Sequence, residues 1–171
     1  MLLNPSSSFR ALSDFGESGD QRVLKAVLIY EDIAAGVRAR WFCQNLAHAV
    51  DCALEERMWN FHVLGIRVIR NTAAVAARSA DIVVVSVSGH TELPGTIRVW
   101  LEMWRLLLRK KKPALVGLFS LSSRQRSAPV SACLSRVAER GGVDFFPHQM
   151  SAPGGHEPIL IFNGTKSSTA Q

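Results

Sequence analysis

Acidic, hydroxyl and imidazole side chains gather at three points of this sequence, each just after an apolar run. Glu31-Asp32 closes VLKAVLIY, Ser88-Gly89-His90-Thr91-Glu92 follows IVVVSV, and Ser120 and Ser122 follow PALVGLF. Carboxylate oxygens and imidazole nitrogens are the donors that a divalent cation takes, so Asp32, His90, Glu92 and His148 form one candidate ligand set. His90 beside Ser88 has the elements of a general base next to a hydroxyl. Asp32 is the best single candidate, either as a metal ligand or as the cap of the helix that follows it. No HExxH, DxD or GxSxG pattern supports a specific chemistry. Loops at a sheet edge are polar in any protein, so the structural role is the expectation for each of these residues taken singly.

The elements that must position them follow from periodicity. Val23–Tyr30 reads as the first strand, and Ile33 to about Glu56 as a helix with Ala35, Ala39, Phe42, Leu46, Ala49, Val50 and Ala53 on its apolar face. Trp41 falls off that face and is expected near solvent. Arg57–Leu64 reads as a weaker strand with Trp59, Phe61 and Val63 alternating, and Asn71 or Thr72 as the cap of a short alanine-rich helix to Ser79. The stretch from Ala80 to Arg109 organises the rest: a β-branched strand (Asp81–Val87), a polar loop, and a helix opened by Pro94 and running to about Lys111. Pro113–Leu121, Ala128–Arg140 and Val143–His148 complete the pattern as strand, helix and strand, with Gly141-Gly142 as the helix stop. Five βα units with short connections predict a three-layer, doubly wound α/β domain with a parallel five-stranded sheet in the order 2-1-3-4-5. The candidate residues then share the carboxyl edge of that sheet, where ligands bind in open α/β folds.

Composition sets the outer bounds. The 171 residues suit one domain, expected from 22 to 150, between a mobile N-terminal tail (1–21) and a C-terminal tail (151–171) whose Ile159–Phe162 is a candidate edge strand. No apolar run reaches the roughly 18 residues that cross a bilayer, and the start lacks a secretory leader pattern. Cys43, Cys52 and Cys133 have no metal or disulfide spacing and read as reduced thiols, so a cytoplasmic setting is expected. The net charge of +6 is spread over several elements except at Arg109-Lys110-Lys111-Lys112, read as a solvated helix end, and no specific nucleic-acid partner is expected. The Pro94–Lys111 helix is apolar over more than one face, which suggests a homodimer through it. Trp100 and Trp104, four apart, read as packing residues.

Two families are similar to parts of this sequence. Ala80-Asp81-Ile82-Val83-Val84-Val85, followed by Leu93-Pro94-Gly95-Thr96-Ile97-Arg98 and Leu101-Glu102, resembles the strand, flavin-side loop and helix start of flavodoxin-like FMN reductases. The resemblance implies that Ser88, Gly89, His90 and Thr91 would line the isoalloxazine side of a flavin. That family's phosphate loop corresponds to Glu31-Asp32-Ile33-Ala34-Ala35-Gly36, where two carboxylates stand instead of phosphate-binding residues.

Val27-Leu28-Ile29-Tyr30-Glu31-Asp32 resembles the first strand and Mg²⁺-binding acidic pair of response-regulator receiver domains. Ser120 matches that family's fourth-strand Ser/Thr, and Gly142–Phe146 resembles the approach to its fifth strand. Ser86 stands where the phosphoacceptor aspartate would be, and Gln149 or His148 where the lysine would be. This resemblance implies a degenerate, receiver-like regulatory or interaction domain with an unidentified protein partner. No cofactor is expected on that reading. FMN, in a small NAD(P)H reductase, is the alternative; Mg²⁺, or a metal-assisted hydrolase on Asp32 and His90, stands behind it.

Overall fold

The computed structural model describes residues 21–89, 91–123, 126–151 and 153. His90, both predicted tails except Gln21, Ser151 and Pro153, and the Ile159–Phe162 segment lie outside the described residues. Five strands, β1 (Val23–Tyr30), β2 (Ala53–Asn60), β3 (Ile82–Val87), β4 (Ala114–Phe119) and β5 (Phe145–Gln149), form one parallel sheet in the order β2-β1-β3-β4-β5. Four helices connect them: α1 (Ile33–Ala49), α2 (Arg67–Arg78), α3 (Gly95–Leu107) and α4 (Ala128–Gly141). This is the predicted doubly wound architecture, a flavodoxin-like α/β fold.

The sheet divides two cores. Leu24, Ala26, Leu28, Ile82, Val84, Val116 and Leu118 pack against Ala39, Cys43 and Ala47 of α1. Val27, Ile29, Val83, Val85, Leu115 and Phe119 face the other way, onto α2, α3 and α4. Alternate residues of one strand supply the two layers because strand side chains have a period of two. β3 lies mid-sheet and is buried along its whole length, which is what its unbroken β-branched run requires.

Several element ends differ from the predicted ones. α1 stops at Ala49, because Asp51 takes a left-handed backbone (φ 53°) and the Cys52 amide returns to the Ala47 carbonyl. Val50 and Ala53 therefore leave the helix, and β2 begins four residues before the predicted Arg57. Residues 63–65 then form a 3-10 turn in place of strand. α2 begins at Arg67 rather than beyond Asn71. Thr72 does not cap it; its hydroxyl donates back to the Val68 carbonyl within the helix. Trp41 is half-buried against the α1 core instead of exposed.

α3 ends at Leu107, four residues short of Lys111, because Leu108 is extended. The basic block leaves the helix and serves two other elements. Lys111 pairs with buried Asp81 at 3.0 Å, and Lys112 donates to the Gly141 carbonyl at the end of α4. The apolar breadth of α3 has an internal explanation. It is the middle helix of three, with Ile97, Trp100, Leu101 and Trp104 buried and Met103, Leu107 and Leu108 partly so. Trp100 and Trp104 stack with centroids 6.2 Å apart inside this core. Glu102, from the polar stripe, bridges Arg105 and Arg140 of α4. Only Val99 and Leu106 of α3 are large exposed apolar residues.

Candidate functional site

β1 and β3 are neighbours, so their carboxyl ends place Glu31-Asp32 beside Ser88-Gly89. One Glu31 carboxylate oxygen accepts from the Ser88 amide at 2.7 Å and from the Gly89 amide at 3.3 Å. The Glu31 backbone is tied on both sides, its N–H donating to the Ser86 carbonyl and its carbonyl accepting from Asn60 Nδ2 of β2. Asp32 Oδ1 accepts from the Ala35 amide at 2.7 Å, which makes it the cap of α1, and from the Ser88 hydroxyl at 2.8 Å. The two acids thus join β1, β3 and the start of α1 through charge-assisted hydrogen bonds.

Beneath them lies Arg38, a residue that the apolar-face reading of α1 passed over. It is only 3% exposed, and its Nη1 donates to the Ser86 hydroxyl and the Val87 carbonyl, both at 3.3 Å. Burial lowers the Arg38 pKa, against the opposing pull of Asp32 and then Glu31. A buried cation needs nearby anions, and these two carboxylates supply them. The signal was present in the sequence. Arg38 stands three residues after Ala35 and four before Phe42, within the apolar stripe, where arginine is unusual unless paired. Ser86 is fully buried, and its hydroxyl is held by this guanidinium.

The remaining candidates do not converge on that cluster. Ser120 and Ser122 pair with each other at 2.9 Å beyond β4, in a turn held by Ser123 on the Ser120 carbonyl. Thr91 and Glu92 are exposed, and Glu92 leans toward Arg98 of α3 at 3.4 Å. His148 lies on β5 with its ring 5.7 Å from Phe42, half-buried on the α1 side, and burial lowers its pKa. His62, predicted in a strand, is exposed in a turn. Among the described residues no three His, Cys, Asp or Glu side chains group as a metal site. The three cysteines are free, and burial, with Glu56 adding, pushes the Cys43 thiol up to about 12.

The arrangement bears on what this edge can hold. A phosphate monoester at the start of α1 would need backbone N–H groups and positive charge. Here the Ala35 amide is taken by Asp32, the loop amides by Glu31, and a dianion would face both carboxylates. The residues present do not fit that group. A hard cation at the acidic pair would compete with four hydrogen bonds that these carboxylates already accept.

No protein-family model matches this sequence, and no curated protein is significantly similar to it. Among solved structures the chain is similar to an oxidoreductase from Corynebacterium diphtheriae, at 12% identity and a TM-score of 0.48, over 74% of this chain and 81% of that one. It is also similar to Sup35 complexed with GDP, at 16% identity and a TM-score of 0.39, over 81% of this chain and 41% of that one. The class rests on the strand order and connections described above. No helix among the described residues is long and apolar enough to cross a membrane.

Proposed function

We propose that this chain is a non-catalytic regulatory or interaction domain of degenerate receiver-like type, without a phosphoacceptor aspartate. The observation that carries the reading is the use of Glu31 and Asp32. Their carboxylates hold the β3 loop and cap α1, work that keeps the carboxyl edge in one shape. Ser86 cannot form an acyl phosphate, and its hydroxyl is committed to Arg38. On this reading Ser88, Gly89, Thr91, Glu92, Ser120 and Ser122 present a polar rim to a protein partner, and no cofactor takes part. Self-association would use Val99 and Leu106, which are 50% and 72% exposed and seven residues apart on α3. The free thiols support a reducing, cytoplasmic setting.

Calorimetric titration with Mg²⁺ tests the reading, with Asp32→Ala as control. No saturable uptake is expected. Uptake that Asp32→Ala abolishes would overturn it in favour of a working acidic metal site. The competing reading is a small FMN-dependent NAD(P)H reductase using the Ser88–Thr91 loop, for which the purified chain would retain flavin.

A further inference from the structure

A groove of about 480 Å³ opens on the three-helix side of the sheet, between β2 and α2. It exists because α2 presents Ala73, Ala74 and Ala77 to the core and packs beside α3, toward the sheet centre. In the parallel register Lys25 stands opposite Glu55 and Val27 opposite Arg57, and all four residues line the groove. Its other wall includes Val75, a large apolar side chain left 48% exposed, and Ala76. Lys25 and Arg57 outnumber Glu55 along the groove. The groove therefore joins small and apolar side chains (Ala26, Val27, Val75, Ala76, Ala80) to polar Asn71, Thr72 and Ser79, with cations in excess over Glu55.

The chain enters β1 at the amino edge of this groove, where the Arg22 carbonyl accepts from the Ala53 amide at 2.8 Å. Residues 1–20 precede that point, outside the described residues. Their last nine, LSDFGESGD, carry Asp14, Glu17 and Asp20, no cation, and the aromatic Phe15. At about 3.3 Å per extended residue they reach about 30 Å, enough to cross the groove from the start of β1. Charge and reach both suit the groove, and the segment carries one aromatic residue for its apolar wall.

We propose that Leu12–Asp20 docks in the β2–α2 groove as a strap, with Phe15 on Val75 and Ala76 and with Asp14 and Glu17 facing Lys25 and Arg57. The proposal concerns the opposite end of the sheet from the carboxyl edge and does not depend on the function proposed above. Amide hydrogen exchange of residues 12–20 in the full chain tests it, against a free peptide of the same sequence. The strap should exchange more slowly than the peptide. K25E/R57E should speed it roughly 3- to 10-fold, the scale of two partly exposed ion pairs. D14K/E17K placed in that background should slow it again, with thermal unfolding confirming the fold of each variant. Exchange at the free-peptide rate, indifference to the charge reversal, or failure of the reversed pair to restore slow exchange would each overturn the proposal.

Discussion

The Glu31 carboxylate accepts from the Ser88 amide at 2.7 Å, across 57 residues of sequence. It thereby fills with the protein's own anion the loop amides that an external ligand at this edge would need. Arg38 lies beneath, buried, with its guanidinium on Ser86 and Val87. The cluster is a structural lock between β1, β3 and α1.

Arg38→Met should destabilise the fold by about 1–3 kcal/mol, since it leaves the Ser86 hydroxyl and Val87 carbonyl without their donor and the acids without their counter-charge. Glu31→Gln alone should also destabilise. The double variant should cost less than the sum, with a coupling of about 0.5–3 kcal/mol. Chemical denaturation of the four proteins measures this. Strict additivity would show that the two residues act separately.

Burial lowers the folded pKa of His148 below that of the unfolded chain. The sign follows. Above the unfolded value both states are neutral and the group adds no pH dependence. As pH falls through that value, near 6.5 for an ordinary histidine, the unfolded state takes the proton first and stability drops. His148→Phe keeps a ring beside Phe42 and should flatten the loss of melting temperature between pH 7 and 5. An unchanged pH profile would remove His148 from that balance.

Gly117 is required by packing. A Cβ there would meet the Phe119 ring at 3.0 Å and Leu134 Cδ1 at 3.2 Å, between β4 and α4. Gly117→Ala should cost about 1–3 kcal/mol by overpacking, read as a lower denaturation midpoint with unchanged slope.

If α3 mediates self-association, Leu106→Lys should shift the chain to monomer in sedimentation velocity while the monomer stays folded, because Leu106 is 72% exposed. A parent chain that is monomeric at every concentration would end the dimer reading.

Much of the fold was legible because β1 and β3 are apolar runs with polar stops, and strand order follows from short right-handed connections. The α1–β2 boundary was not. Helical amphipathicity continues on paper through Val50 and Ala53, and nothing in residue type alone dictates the left-handed turn at Asp51. The end of α3 was obscured similarly, since Leu108 suits either a helix or an extended exit. At the candidate site, the acidic pair and the Ser88 loop were visible as polar stops. Their contact was not, because it is made between strands distant in sequence. Arg38 was readable as a charge within an apolar stripe, but a face traced through Ala35, Ala39 and Phe42 steps over it. His148 was placed with the edge acids because strand ends look alike in sequence; its ring instead faces Phe42.

The chain's own carboxylates occupy the carboxyl edge of the sheet. The most direct measurement is the visible absorbance of the purified full chain, before and after incubation with excess FMN and removal of the unbound fraction. A flat trace is expected in both cases. Flavin bands that stay with the protein would contradict an edge closed by its own acids, and would mean that Glu31 yields the Ser88 and Gly89 amides to a cofactor.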